Sequence, residues 1–181
     1  MAALQPHALQ PHALLDPQPE STARPALRVI VPGHGESSRV PIVQRSLERL
    51  RHAAESNGIR SSCDIFSYRR TNLTSDWCTV TRRPGLWTDF MKGVELGSDD
   101  EVVLLLMDDV AIDPSFDLSR YLCTMRTLGL DVASAAVPNW RASILRPNAS
   151  CAARRTSYVD MLFVAFTRRA WLVRPSCLDR V

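Results

Sequence analysis

Glu101-Val102-Val103-Leu104-Leu105-Leu106-Met107-Asp108-Asp109-Val110 is the stretch that decides the fold. The apolar residues from Val102 to Met107 are too few to cross a bilayer. They are also too uniformly apolar for a strand with one wet face, so they predict a strand buried on both faces. Two carboxylates follow at once. A central parallel strand that ends in adjacent acids puts negative charge at the carboxyl edge of a sheet, where open α/β folds bind ligands. Hard oxygen donors in that place suit Mg²⁺ or Mn²⁺, which neutralise a diphosphate. The competing reading is an Asp-Asp turn that closes a core strand and caps the next element.

Downstream, Leu118, Tyr121, Leu122, Met125 and Leu128 recur at helical spacing, with Asp117 as N-cap and Gly129 as the left-handed stop. Residues 131–137 read as a strand of small residues. Residues 138–157 are polar, arginine-rich and without period, which predicts a loop. A last strand, Tyr158 to Phe166, carries Asp160, and Thr167 caps a helix that Pro175 ends.

Upstream, order begins at Leu27-Arg28-Val29-Ile30-Val31, a strand expected to halt at Pro32-Gly33. The turn from Gly33 to Ser38 has two glycines but neither the third glycine of a dinucleotide fingerprint nor a P-loop lysine, so it reads as a plain strand-to-helix turn. Ile42, Val43, Leu47, Leu50 and Ala54 then mark one face of a helix from Val40 to Asn57. Strands are expected at Cys63–Tyr68 and Trp77–Val80, and a helix from Gly85 to Leu96. Arg69, Arg70, Arg82 and Arg83 fall at or just past the two strand ends. If the strands are parallel these arginines share the edge with Asp108 and Asp109 and can meet a phosphate.

The alternation of strands and helices predicts an α/β protein with a mostly parallel central sheet flanked by helices. With 181 residues there is material for one buried core and too little for two ordinary domains. The expected division is a proline-, glutamine- and histidine-rich leader over residues 1–25, then a single domain over 26–181. The net charge of +3 is small and the arginines are scattered among acids, which argues against a nucleic-acid partner. No run in the chain is long and apolar enough to span a membrane. Cysteines 63, 78, 123, 151 and 177 contain no CxxC, which argues against zinc and leaves disulfide pairing open. Two acceptor sequons, Asn72-Leu73-Thr74 and Asn148-Ala149-Ser150, fall in expected loops and fit a secretory-pathway protein. The N-terminus lacks the basic and apolar regions of a signal peptide. The location is therefore left between a Golgi-like lumen, if a targeting segment is missing, and the cytoplasm.

Glu101 to Val173 resembles the glycosyltransferases of uncharacterised function best known from plants, whose core is similar to the nucleotide-sugar-binding GT-A fold. Four pieces carry the likeness in order: the apolar strand with Asp108-Asp109, Phe116 to Leu122, Leu128 to Ser134, and Tyr158-Val159-Asp160-Met161 with Phe166 to Trp171. The resemblance implies Mn²⁺ or Mg²⁺ held by Asp109 with Asp108 across the diphosphate of a nucleotide sugar. It also implies Asp160 as the carboxylate facing a glycan or other acceptor, as general base or as an orienting group. Three departures accompany it. Met107 stands where such proteins begin a run of three acids. Asp160 replaces a Glu. The His-Gly-Trp-Gly segment that follows in such proteins has no counterpart before Val181, which implies an incomplete GT-A-like core. The expected activity is metal-dependent glycosyl transfer; the alternative is a non-catalytic α/β binding module that keeps the fold without the chemistry.

Overall fold

The apolar run is strand β4 (Asp100–Leu106) of a six-stranded sheet, and its side chains alternate between two separate cores. Val102, Leu104 and Leu106 face one layer of helices while Val103 and Leu105 face the other, which is why the sequence shows no polar alternation. A computed structural model of the protein describes residues 26–136, 153 and 161–178. Besides β4 it contains strands β1 (Ala26–His34), β2 (Arg60–Ser67), β3 (Cys78–Arg82), β5 (Val132–Ser134) and β6 (Phe163–Thr167). The helices are α1 (Val40–Ser56), α2 (Trp87–Lys92), α3 (Leu118–Thr127) and α4 (Arg168–Leu178).

The strand order is β3-β2-β1-β4-β6-β5. β1, β2, β3 and β4 pair in parallel; β6 runs antiparallel to both β4 and β5, so β5 points the same way as β4. The expected fold class, α/β with a mostly parallel sheet flanked by helices, is the one found. Helices α1 and α3 cover one face through Val43, Leu47, Leu50, Leu118, Leu122 and Met125. On the other face Phe90 and Met91 of α2 and Trp171 of α4 pack on Ile30, Phe66 and Val164.

Several local expectations hold in detail. Asp117 accepts from the Arg120 amide at 2.9 Å as the N-cap of α3, and Gly129 sits at φ +59° just past its end. Thr167 Oγ1 accepts from the Ala170 amide at 3.3 Å at the start of α4. Others differ. α2 stops at Lys92 before Gly93, well short of Leu96, and α4 continues through Pro175 to Leu178. The strand expected from Tyr158 begins, within the described residues, at Phe163.

The most consequential difference is in β1, which passes through Pro32-Gly33 instead of halting there. Val31 pairs with Ile65 and His34 with Ser67, so β1 advances three residues while β2 advances two. This is a bulge, and it places the proline where the ladder to β4, which ends at Ile30–Leu105, no longer needs its N–H. The strand thereby extends to His34 at the carboxyl edge.

Candidate functional site

β1 and β4 are neighbours, and the chain leaves β1 for β2 on one side of the pair and leaves β4 towards β6 and β5 on the other. This is a topological switch point, the place where the loops after two parallel strands diverge and leave a crevice at the carboxyl edge. His34 ends β1 there, and Asp108 and Asp109 follow β4 directly.

The turn that carries the two aspartates is fixed at both ends. The Met107 amide donates to Leu162 O at 2.9 Å beside β6, and the Val110 amide donates back to Met107 O at 3.2 Å. On the α1 side Ser46 Oγ donates to Val110 O at 3.0 Å and accepts from the Ile112 amide at 3.1 Å, and Arg49 also donates to Ile112 O. A turn held this way presents its side chains in a fixed order.

Asp108 turns inward and is only 3% exposed. Its Oδ1 accepts from Arg39 Nη1 at 2.6 Å, and its Oδ2 lies 3.3 Å from His34 Nδ1. Arg39 is set at this point by the short 3-10 turn Ser37–Arg39 that leads into α1, and it also lies 3.3 Å from Glu36. Donating to Asp108 raises the Arg39 pKa still further, so the guanidinium is a permanent cation. His34 is fully buried, and burial lowers its pKa despite the pull of Asp108. Its ring is therefore neutral at pH 7, and neither nitrogen makes a well-directed hydrogen bond among the described residues. The His34–Asp108 approach is a contact between a neutral ring and a carboxyl group, not an ion pair.

Asp109 turns the other way. Its side chain is 51% exposed and its Oδ2 lies 4.0 Å from Arg39 Nη1. The next strand end over, β2, adds Tyr68, whose amide donates to His34 O at 3.1 Å and whose ring covers Gly35 so closely that a methyl group there would fall 2.1 Å from Cζ. Arg69 stacks over that ring with Cζ 5.7 Å from its centroid, and Arg70 is exposed beside it.

The parallel pairing of β1 to β4 puts Arg69, Arg70, Arg82 and Arg83 on the same edge as the aspartates, but not equally near. At about 4.8 Å per strand, β3 ends about 14 Å across the sheet from β4. Arg82 donates to Leu73 O at 2.6 Å and Arg83 lies over the Phe90 ring at 5.4 Å, so both are engaged locally. Asp160 lies outside the described residues. His34 and Arg39 were not singled out by sequence. The signal for His34 was a lone ionisable residue between two glycines at a strand end; Arg39 looked like any helix-entry arginine.

The donor set can be tested against a divalent ion. No group of three or more His, Cys, Asp or Glu side chains among the described residues could enclose one. Mg²⁺ and Mn²⁺ in phosphate-handling sites are commonly held by one or two carboxylates, with phosphate and water completing the shell. Asp109 alone meets the minimum of that arrangement. Asp108, 3% exposed with its oxygens turned to Arg39 and His34, has little open surface to offer an ion.

No protein-family model matches this chain, and no curated protein matches it in sequence. Among solved structures it is similar to 4-diphosphocytidyl-2C-methyl-D-erythritol synthase from Anaerococcus prevotii, at 12% identity and a TM-score of 0.47, over 86% of this chain and 76% of that one. A likeness at that level carries nothing about activity.

Proposed function

We propose that the chain is the donor-binding core of a metal-dependent glycosyltransferase that takes a nucleotide diphospho-sugar at the crevice between β1 and β4. The observation that supports this most directly is the buried Asp108 carboxyl group, which holds the Arg39 guanidinium at the switch point while that side chain stays 34% exposed. A cation tethered from behind and open in front is suited to a phosphate. Asp109, next in the chain and facing solvent, holds Mn²⁺ or Mg²⁺. When bound, the ion supplies Lewis-acid stabilisation of the diphosphate leaving group. Asp108 positions Arg39, and its burial makes it a positioning group first and a second ligand only if the turn opens. Arg69 and Arg70 at the end of β2 extend the positive rim, with Arg82 and Arg83 further out. Asp160 is the acceptor-side carboxylate, orienting the glycan or other acceptor or taking its proton.

Calorimetric titration of the folded protein with UDP and with GDP, each with and without Mn²⁺, tests the proposal. One of the two nucleotides should bind with Mn²⁺ and bind at least about tenfold more weakly without it, a difference of about 1.4 kcal/mol. Asp109→Ala should remove the metal-dependent part. Absence of metal-dependent binding of either nucleotide, or binding untouched by Asp109→Ala, refutes it.

Two features favour a second reading, a non-catalytic module of the same fold. Met107 stands where the resemblance expects an acid, and Asp108 is spent on Arg39. On that reading the protein folds and binds a partner but never turns over a donor; hydrolysis of any nucleotide sugar, lost in Asp109→Ala, excludes it.

A further inference from the structure

The loop between β2 and β3 carries Asn72-Leu73-Thr74, an acceptor sequon without proline. Residues 70–75 have no regular secondary structure, and Asn72 and Thr74 are both exposed. Leu73 between them is fully buried in the core on the α1 side, and its carbonyl accepts from Arg82. One buried residue thus pins the loop, and the two residues that matter for modification flank it in solvent. A bulky, hydrophilic addition at Asn72 displaces nothing.

A second observation points to the compartment in which such an addition is made. Cys63 and Cys78, register partners on β2 and β3, form a disulfide across 15 residues of sequence, and the loop they close is the one that carries the sequon. Disulfides of this structural kind form and persist in oxidising compartments and are rare in the cytosol. The sequon and the disulfide are separate chemical features with one requirement in common, passage through the secretory lumen.

We infer that Asn72 is an N-glycosylation site and that the protein matures in that lumen. The co-reactant is a lipid-diphosphate-linked oligosaccharide. A bond forms between Asn72 Nδ2 and the anomeric carbon of the oligosaccharide, the bond from that carbon to the diphosphate oxygen breaks, the lipid diphosphate leaves, and one amide proton passes to the transferring enzyme. The Thr74 hydroxyl is what that enzyme requires two residues on.

The arginines make the test compact. Protein captured by antibody from its natural source cells is cut with trypsin without reduction. Cleavage after Arg60, Arg69, Arg70 and Arg82 yields residues 61–69 and 71–82 joined through Cys63 and Cys78, with Asn148 in a separate peptide. Mass spectrometry should find an oligosaccharide on the 71–82 half. Enzymatic release in heavy-oxygen water should convert Asn72 to labelled Asp. In transfected cells Thr74→Ser should keep the modification, while Thr74→Ala, which differs from it by one hydroxyl, should lose it, as should Asn72→Gln. Unmodified Asn72 in the natural protein, whether the two peptides are joined or free, overturns the inference, as does modification that survives Thr74→Ala.

Discussion

The contact between Arg39 and Asp108 is the one on which the geometry of the candidate site turns, and its strength can be measured by a double-mutant cycle. Asp108→Asn keeps the shape of the side chain and removes its charge; Arg39→Met keeps most of the apolar stem and removes the guanidinium. The hydrogen bond is 2.6 Å long, and its acceptor side chain is only 4% exposed. A charge-assisted hydrogen bond of this kind contributes about 1.5 to 3 kcal/mol net. Arg39 is a third exposed, so solvent screening moves the expectation to the low end, about 1.5 kcal/mol of coupling. Arg39 also has Glu36 and Asp109 nearby, but a cycle cancels those terms because both are kept in all four proteins. Urea unfolding of the four proteins, with unchanged m-values as the check on two-state behaviour, gives the number. Arg51–Asp76 is the natural control: the same two residue types at 2.9 Å, with an arginine exposed about as much as Arg39 but a carboxylate in solvent. Its cycle should show no coupling beyond experimental error. If Arg39–Asp108 couples no more strongly than Arg51–Asp76, Asp108 is not an anchor, and the account of a tethered phosphate-facing cation fails.

The remaining predictions are more local. Reduction of Cys63–Cys78, or Cys63→Ser with Cys78→Ser, should cost about 3 kcal/mol by the loop-closure relation for 15 residues, read from the urea midpoint; an unchanged midpoint would mean β3 needs no tether. Gly35→Ala should push the Tyr68 ring aside and cost about 1 kcal/mol, since the obstacle is the far end of a half-exposed side chain. In a Tyr68→Ala background that penalty should vanish, and its persistence would place the strain elsewhere. His34 has a lowered folded pKa, so between that value and about 6.5 the unfolded chain holds a proton that the native protein does not. Stability should therefore rise with pH through that window and fall on acidification, by at most about 1.4 kcal/mol per pH unit. Asp108, Arg39 and Glu36 are the charged groups that act on the ring. His34→Asn should flatten that part of the pH profile of urea unfolding; identical profiles would show that His34 does not carry it.

What could be read from the residues alone follows the range of the physics. The burial of β4 on both faces, the amphipathic α1 and α3, the Asp117 cap and the Gly129 stop are set by neighbours a few positions away, and all were legible. The antiparallel direction of β6 was not, because nothing within Phe163–Thr167 states which way its partner runs. Nor was the passage of β1 through Pro32-Gly33, a breaker signal overridden by a bulge that a distant strand accommodates. The pairing of Cys63 with Cys78 depends on β2–β3 register, which five scattered cysteines do not encode. At the site, the two aspartates were visible at a strand end, but not that they would part company, one turned in to Arg39 and His34, the other out to solvent. That division is set by α1, whose Ser46 and Arg49 grip the turn from more than sixty residues away.

The irregular step in β1 has a consequence for the rim of the sheet. In an unbroken ladder each side chain's face is fixed by whether its count along the strand is odd or even. One surplus residue resets that count for everything after it. Past that step the parity of Leu27, Val29 and Ile30 no longer says which way a side chain faces, and His34 comes to lie wholly enclosed at the rim, within reach of Asp108.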